Sequence, residues 1–148
     1  MLTSTAFTTS GSGLVFPQSA LYPTDESPPF SWSGAPAGTK SFALTFVDLG
    51  IDATKWIVWD IPPSAAALPG NLSKVAHPTE LPAASQRGSL GRTGYSGPAV
   101  AGHSYEFVLW ALDVDVLPGT DGKTTAEIRA SILPAHRIAT TAPIVAQP

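Results

Sequence analysis

The sequence predicts a mostly β domain of two sheets with one late helix. Three observations carry this: short apolar runs with strand periodicity, turn-forming residues between them, and a single helix signal near the C-terminus. The punctuation is dense, with 13 Gly and 15 Pro in 148 residues, and Gly and Pro end regular elements for steric reasons. Hydrophobic residues make up 43% of the chain, close to an ordinary globular domain, so there is apolar surface enough to fold. That length suits one domain spanning 1–148.

The first strand signal is Ser41–Asp48 (SFALTFVD), where Phe42, Leu44 and Phe46 recur at period two. The second, 56–61 (WIVWDI), is apolar on both faces. The third, 104–112 (SYEFVLWAL), sets Tyr105, Phe107 and Leu109 on one face and Val108, Trp110 and Leu112 on the other. Strands apolar on both sides belong in the middle of a sheet covered above and below. Residues 62–97 are rich in Ala, Pro, Ser and Gly and read as an extended surface loop. The helix signal is 124–133: Thr124 as N-cap, Glu127 three residues on completing a capping box, Ile128 and Ile132 one turn apart, and Pro134 as the stop.

Charge excludes some functions. Charged residues are 13% of the chain, with eight Lys and Arg against eleven Asp and Glu and a formal net charge of −3. No reservoir of cations exists to neutralise a phosphodiester backbone, so nucleic acid is not an expected partner. No run of 18 or more apolar residues is present, so no membrane span is expected. The N-terminal MLTSTAFTTSGSG lacks the basic and apolar regions of a signal, and the first basic residue is Lys40. The expectation is a cytoplasmic protein, the alternative an exported one whose signal has been removed. Without Cys there are no disulfides, thiolate metal sites or Cys nucleophiles.

The familiar catalytic and cofactor motifs are absent: no phosphate-binding GxxxxGK[ST], no GxGxxG after a strand, no HExxH, GxSxG or EF-hand loop. No cofactor is expected. His77, His103 and His136 lack the short spacing that zinc sites favour, so no metal is expected either. What remains are polar residues at strand ends. Asp48 closes the first strand, Lys55 opens the second, and His103 enters the third just before Tyr105. Sequential strands usually neighbour one another, which would bring these four groups to one mouth. The ordinary alternative has Asp48 capping a turn, Lys55 solvated and His103 bonded to a loop carbonyl. The segment 94–98 (GYSGP) is either a bare backbone loop that approaches an anion or a tight turn.

Taken in order, SPPFSWSGAPAGTKSFALTFVD (27–48), WIVWDIP (56–62), GYSGP (94–98) and HSYEFVLWALD (103–113) resemble the phosphatidylethanolamine-binding protein family, in particular its bacterial Raf-kinase-inhibitor-like branch. The likeness runs from Ser10 to about Val145. It implies a β fold of two antiparallel sheets, the central one large, with one or two short C-terminal helices. It also implies a small anion-accepting pocket that in relatives takes phosphate, acetate or a phospholipid head group. Carried over residue by residue, the pocket corresponds to Asp48, His103, Tyr105 and the Gly97 loop, with Trp56 beside a pocket His position that here is Lys55.

Departures from the family cluster at the same place. DLGID stands where relatives usually read DPDAP, so Gly50 replaces the second carboxylate; Lys55 replaces a His; and GPAVAGH is a shortened loop without its double Pro. A Lys for a His keeps a donor but substitutes a strongly hydrated charge on a flexible stem. Together these changes make the mouth more positive, which favours an anion unless Lys55 pairs with Asp48 and closes it. Three functions follow as expectations. One is a binding protein with Asp48, Lys55, Trp56, Gly97, His103 and Tyr105 around a small anionic ligand. Another is an enzyme of small-molecule metabolism, with His103 as acid or base, Asp48 as its orienter and Lys55 as electrophilic stabiliser. The third is a regulatory module that contacts other proteins, for which Trp32, Trp56, Trp59 and Trp110 are the large anchors, all more readily explained as core. Open β edges also admit a homodimer.

Overall fold

The computed structural model describes residues 1–11 and 13–148. Its strands are β1 (Leu2–Thr3), β2 (Thr8–Ser10), β3 (Gly13–Val15), β4 (Phe30–Trp32), β5 (Ser41–Asp48), β6 (Ala53–Ile61), β7 (Ala67–Leu68), β8 (Ser85–Gly88), β9 (Tyr105–Leu112), β10 (Arg137–Thr140) and β11 (Ile144–Gln147). A three-stranded sheet runs β1-β4-β7, and an eight-stranded sheet runs β2-β3-β11-β9-β5-β6-β8 with β10 also on β9. The pairings are antiparallel except β11 beside β3, which makes the large sheet mixed at that point.

The period-two pattern in β5 sorts the core into two layers. Phe42, Leu44 and Phe46 join Trp56, Val58, Tyr105, Phe107 and Leu109 in one cluster, completed from the small sheet by Leu2, Phe30, Trp32 and Leu68. Ala43, Ile57, Trp59 and Leu112 face the other way and are covered by Leu117 from the loop after β9 and by Ile128 and Leu133 from the C-terminal helical segment. Strands β5, β6 and β9 are thus sandwiched between a sheet and a helix, which is why their sequences are apolar on both sides. Three of the four tryptophans lie in this core, with Trp32 7%, Trp56 0% and Trp59 4% exposed. They are packing residues and offer no surface anchor.

Two regions depart from the sequence-based expectation. Residues 62–97 are not a simple surface loop, because β7 extends the small sheet and β8 pairs with the edge of β6. Their short, Ala- and Ser-rich strands carry little periodicity, and tertiary pairing decides them. The helix begins where expected, with Thr124 and Glu127 forming a reciprocal capping box. It does not stop at Pro134, however. After α1 (Thr125–Glu127) the chain widens into a π turn at Ile128–Ile132, where Leu133 N–H reaches back to Ile128 O, and then continues as α2 (Leu133–His136). Pro134 sits in the first turn of α2, where a missing N–H is tolerated.

Candidate functional site

Asp48 continues the β5 face of Phe42, Leu44 and Phe46, so its carboxylate is carried in on the side of the aromatic core, and the residue is only 3% exposed. In the sheet it stands opposite Tyr105 on one side and Ala53 on the other. A buried carboxylate requires donors, and two are present. Gly50 N–H donates to Oδ1 at 2.8 Å across the turn that follows β5. His103 Nδ1 lies 2.9 Å from Oδ1 and 3.0 Å from Oδ2. Because a carboxylate only accepts, Nδ1 carries the proton and Nε2 is the ring nitrogen left for other partners.

Gly50 is needed for this arrangement. A Cβ built at that position would come within 2.6 Å of His103 Cγ and Nδ1 and 2.7 Å of Cδ2. The imidazole lies directly against the backbone of residue 50, in space that any side chain would fill. Next to it, Tyr105 stands with its ring centroid 6.3 Å from that of His103. Its hydroxyl makes a long contact, 3.5 Å to Val100 O, and also faces the Asp48 carboxylate and the Ala99 backbone. Burial raises the Tyr105 pKa above the ordinary tyrosine value and the Asp48 charge adds to the effect, so this hydroxyl is a donor.

Lys55 reaches the site through an irregularity in the sheet. Phe46 pairs with Trp56 and Val47 with Thr54, which leaves Lys55 as the extra residue of a β-bulge. Strict alternation from Trp56 would send Lys55 to the Ile57 side. The bulge re-aims it, and Nζ lies 6.0 Å from the centroid of Tyr105, on the side of the aromatic core. Burial holds the Lys55 pKa below the ordinary lysine value. Asp48 opposes that shift, Arg92 reinforces it and Asp25 opposes it again. Among the described residues Lys55 takes part in no ion pair. The closed state in which Lys55 pairs with Asp48 is therefore not the one adopted.

Asp48, Lys55 and Tyr105 line one cavity of about 270 Å³, together with Ile51, Ala53, Ser89, Leu90, Ala99 and Val100. His103, expected at the mouth, is not among the lining residues and is tied to the cavity only through its bond to Asp48. Two further expected residues lie elsewhere. Trp56 is fully buried, donates from Nε1 to Gln86 Oε1 at 2.9 Å, and packs edge-on against Tyr95. Gly97 is not at the mouth. Its N–H donates to Asp25 Oδ1 at 2.7 Å, and a Cβ there would meet Ala20 O at 2.0 Å. The loop at 94–98 does bind a carboxylate, but it is the chain's own Asp25, and Tyr95 Oη ties the same loop to Ala20 O at 2.9 Å.

Sequence reasoning missed the cavity-lining Ser89, Ile51, Leu90 and Val100, and Arg92, whose charge acts on Lys55. All sit in loops, where no periodicity marks a residue as facing a cavity. The nearest signal was the density of Gly around Leu90 and Arg92. Among the described residues no helix is long and apolar enough to cross a membrane.

Comparison with known proteins gives a consistent result. The family model described as phosphatidylethanolamine-binding protein matches residues 5–144. Among curated proteins the chain is similar to the UPF0098 protein YbcL of Escherichia coli K12, 34% identical over 124 residues, covering 77% of this chain and 67% of that one. A UPF0098 protein of Methanothermobacter thermautotrophicus is 36% identical over 110 residues, covering 68% and 71%. Among solved structures, E. coli YbcL superposes with a TM-score of 0.78 at 30% identity, over 98% of this chain and 94% of that one. CT736 of Chlamydia trachomatis gives 0.76 at 28% identity, over 99% and 95%.

Proposed function

The chain belongs to the phosphatidylethanolamine-binding protein family, and on that premise we propose that it is a small binding protein whose cavity takes a phosphate- or carboxylate-bearing molecule. The observation that carries this reading is Lys55. A half-buried ammonium held by a bulge over a cavity loses hydration that the nearby Asp48 and Asp25 charges offset only in part, and among the described residues it lacks a directly paired negative charge. An anion entering the cavity supplies that charge. Tyr105 Oη adds a neutral donor from the same wall. His103 acts one step back, holding the Asp48 carboxylate through Nδ1. Asp48 itself is occupied by Gly50 and His103, which lessens its repulsion of a negative guest.

Calorimetric titration with inorganic phosphate and with acetate tests the proposal. The wild type is expected to bind at least one of them with a millimolar or tighter Kd. Lys55→Gln is expected to weaken that binding by about tenfold or more, the usual value of a hydrogen bond to a charged group. Binding of equal strength in the two proteins, or none in the wild type, contradicts it.

A further inference from the structure

The cavity is charged at its floor and apolar at its rim. Ile51, Leu90 and Val100 line it and are 67%, 92% and 47% exposed, with Ala53 and Ala99 among them. They come from three separate segments: the turn between β5 and β6, the loop after β8, and the loop before β9. Single exposed apolar side chains are ordinary on any protein. Here three of the ten large exposed hydrophobics among the described residues meet at one opening. Leu90 goes furthest. Its φ of +56° lies in the left-handed region, which a branched aliphatic residue rarely occupies, and Gly91 follows at +74°. The loop holds Leu90 in that conformation, and no burial repays it.

Among the described residues the rim also lacks a free carboxylate to pair with a positive group. Asp48 is the sole carboxylate among the lining residues, and both its oxygens are engaged below. Asp52, in the same turn as Ile51, is paired with Arg129 at 2.9 Å. The cation at the floor, Lys55, repels a second one. We infer that the ligand is an anion carrying an apolar arm next to its charged group, as in an alkyl or aryl phosphomonoester, and not a zwitterion with an ammonium arm. This rests on the anion-binding reading above and adds the chemistry of the part that projects from the cavity.

Three probes separate the two ideas: inorganic phosphate, propyl phosphate and phosphoethanolamine, the last two differing by a methyl against an ammonium at the end of one chain. Calorimetry is expected to give propyl phosphate a Kd about fivefold tighter than inorganic phosphate and about tenfold tighter than phosphoethanolamine. In the double variant Ile51→Ser, Leu90→Asn, where Asn tolerates the left-handed backbone, propyl phosphate is expected to lose its advantage over inorganic phosphate measured on the same protein. Phosphoethanolamine binding as tightly as propyl phosphate overturns the inference, as does an advantage that survives the double variant, and both leave the anion site standing. Failure of all three probes to bind removes the anion site and the inference together.

Discussion

Lys55 is placed where an apolar residue of similar length would stabilise the fold better. Its folded-state pKa lies below the ordinary value of 10.5 because burial penalises the ammonium. The unfolded chain therefore holds this proton more tightly than the folded one. Stability at this position grows as pH rises through the folded value towards 10.5. Lys55→Met should accordingly be more stable than the wild type at pH 7, by roughly 0.5 kcal/mol, and the gap should narrow on raising the pH towards 10; urea titrations at both pH values measure it. Gly50 is constrained in the opposite sense. Gly50→Ala drives a methyl into the His103 ring and should destabilise the protein by roughly 1–3 kcal/mol. It should also change the imidazole ¹⁵N shifts that report the Nδ1–H to Asp48, whereas unaltered shifts would show that the ring does not depend on the space at residue 50. At these positions the sequence was informative about residue type and silent about geometry. Asp48, Lys55, His103 and Tyr105 were legible as polar groups at strand ends. That Asp25 satisfies Gly97, or that His103 lies against Gly50, depends on backbone approaches between segments far apart in the chain.

At the scale of elements, strong periodicity gave accurate strands and weak periodicity did not. Residues 41–48 alternate cleanly and form β5 with those bounds. β6 starts three residues before the apolar run at 56–61, because Ala53, Thr54 and Lys55 pair with β5 through the bulge. A bulge leaves no mark in composition, yet it turns Lys55 from the helix side of the sheet to the cavity. The capping box of Thr124 and Glu127 was legible because its chemistry is local. Thr124→Ala should lower stability by about 1 kcal/mol and leave phosphate affinity unchanged, since α1 lines no part of the cavity. A change in affinity would mean that the helix and the site are coupled. The continuation past Pro134 was not legible, because no local residue pattern marks a π turn; in the fold Ile128 and Leu133 both pack against the sheet at its two ends.

For the whole molecule, one central sheet serves two purposes. Its interior faces bury a stack of aromatic rings, with Phe46 lying 4.4 Å from Phe107, 5.1 Å from Tyr95 and 5.8 Å from Tyr105 between centroids. The C-terminal end of β5 and the N-terminal end of β9 bring Asp48, Tyr105 and His103 together at the edge of that stack. The site is therefore carried on a rigid scaffold, while its rim is made by loops. Phe46→Ala should destabilise the protein by about 3–5 kcal/mol and, by loosening Tyr105, weaken phosphate binding as well.

The most direct measurement of the central claim is a crystal structure of the protein grown in phosphate. The account predicts a phosphate in the cavity with oxygens within hydrogen-bonding distance of Lys55 Nζ and Tyr105 Oη, and His103 still on Asp48. An unoccupied cavity with Lys55 turned onto Asp48, or a phosphate bound elsewhere and none between Lys55 and Tyr105, would contradict it.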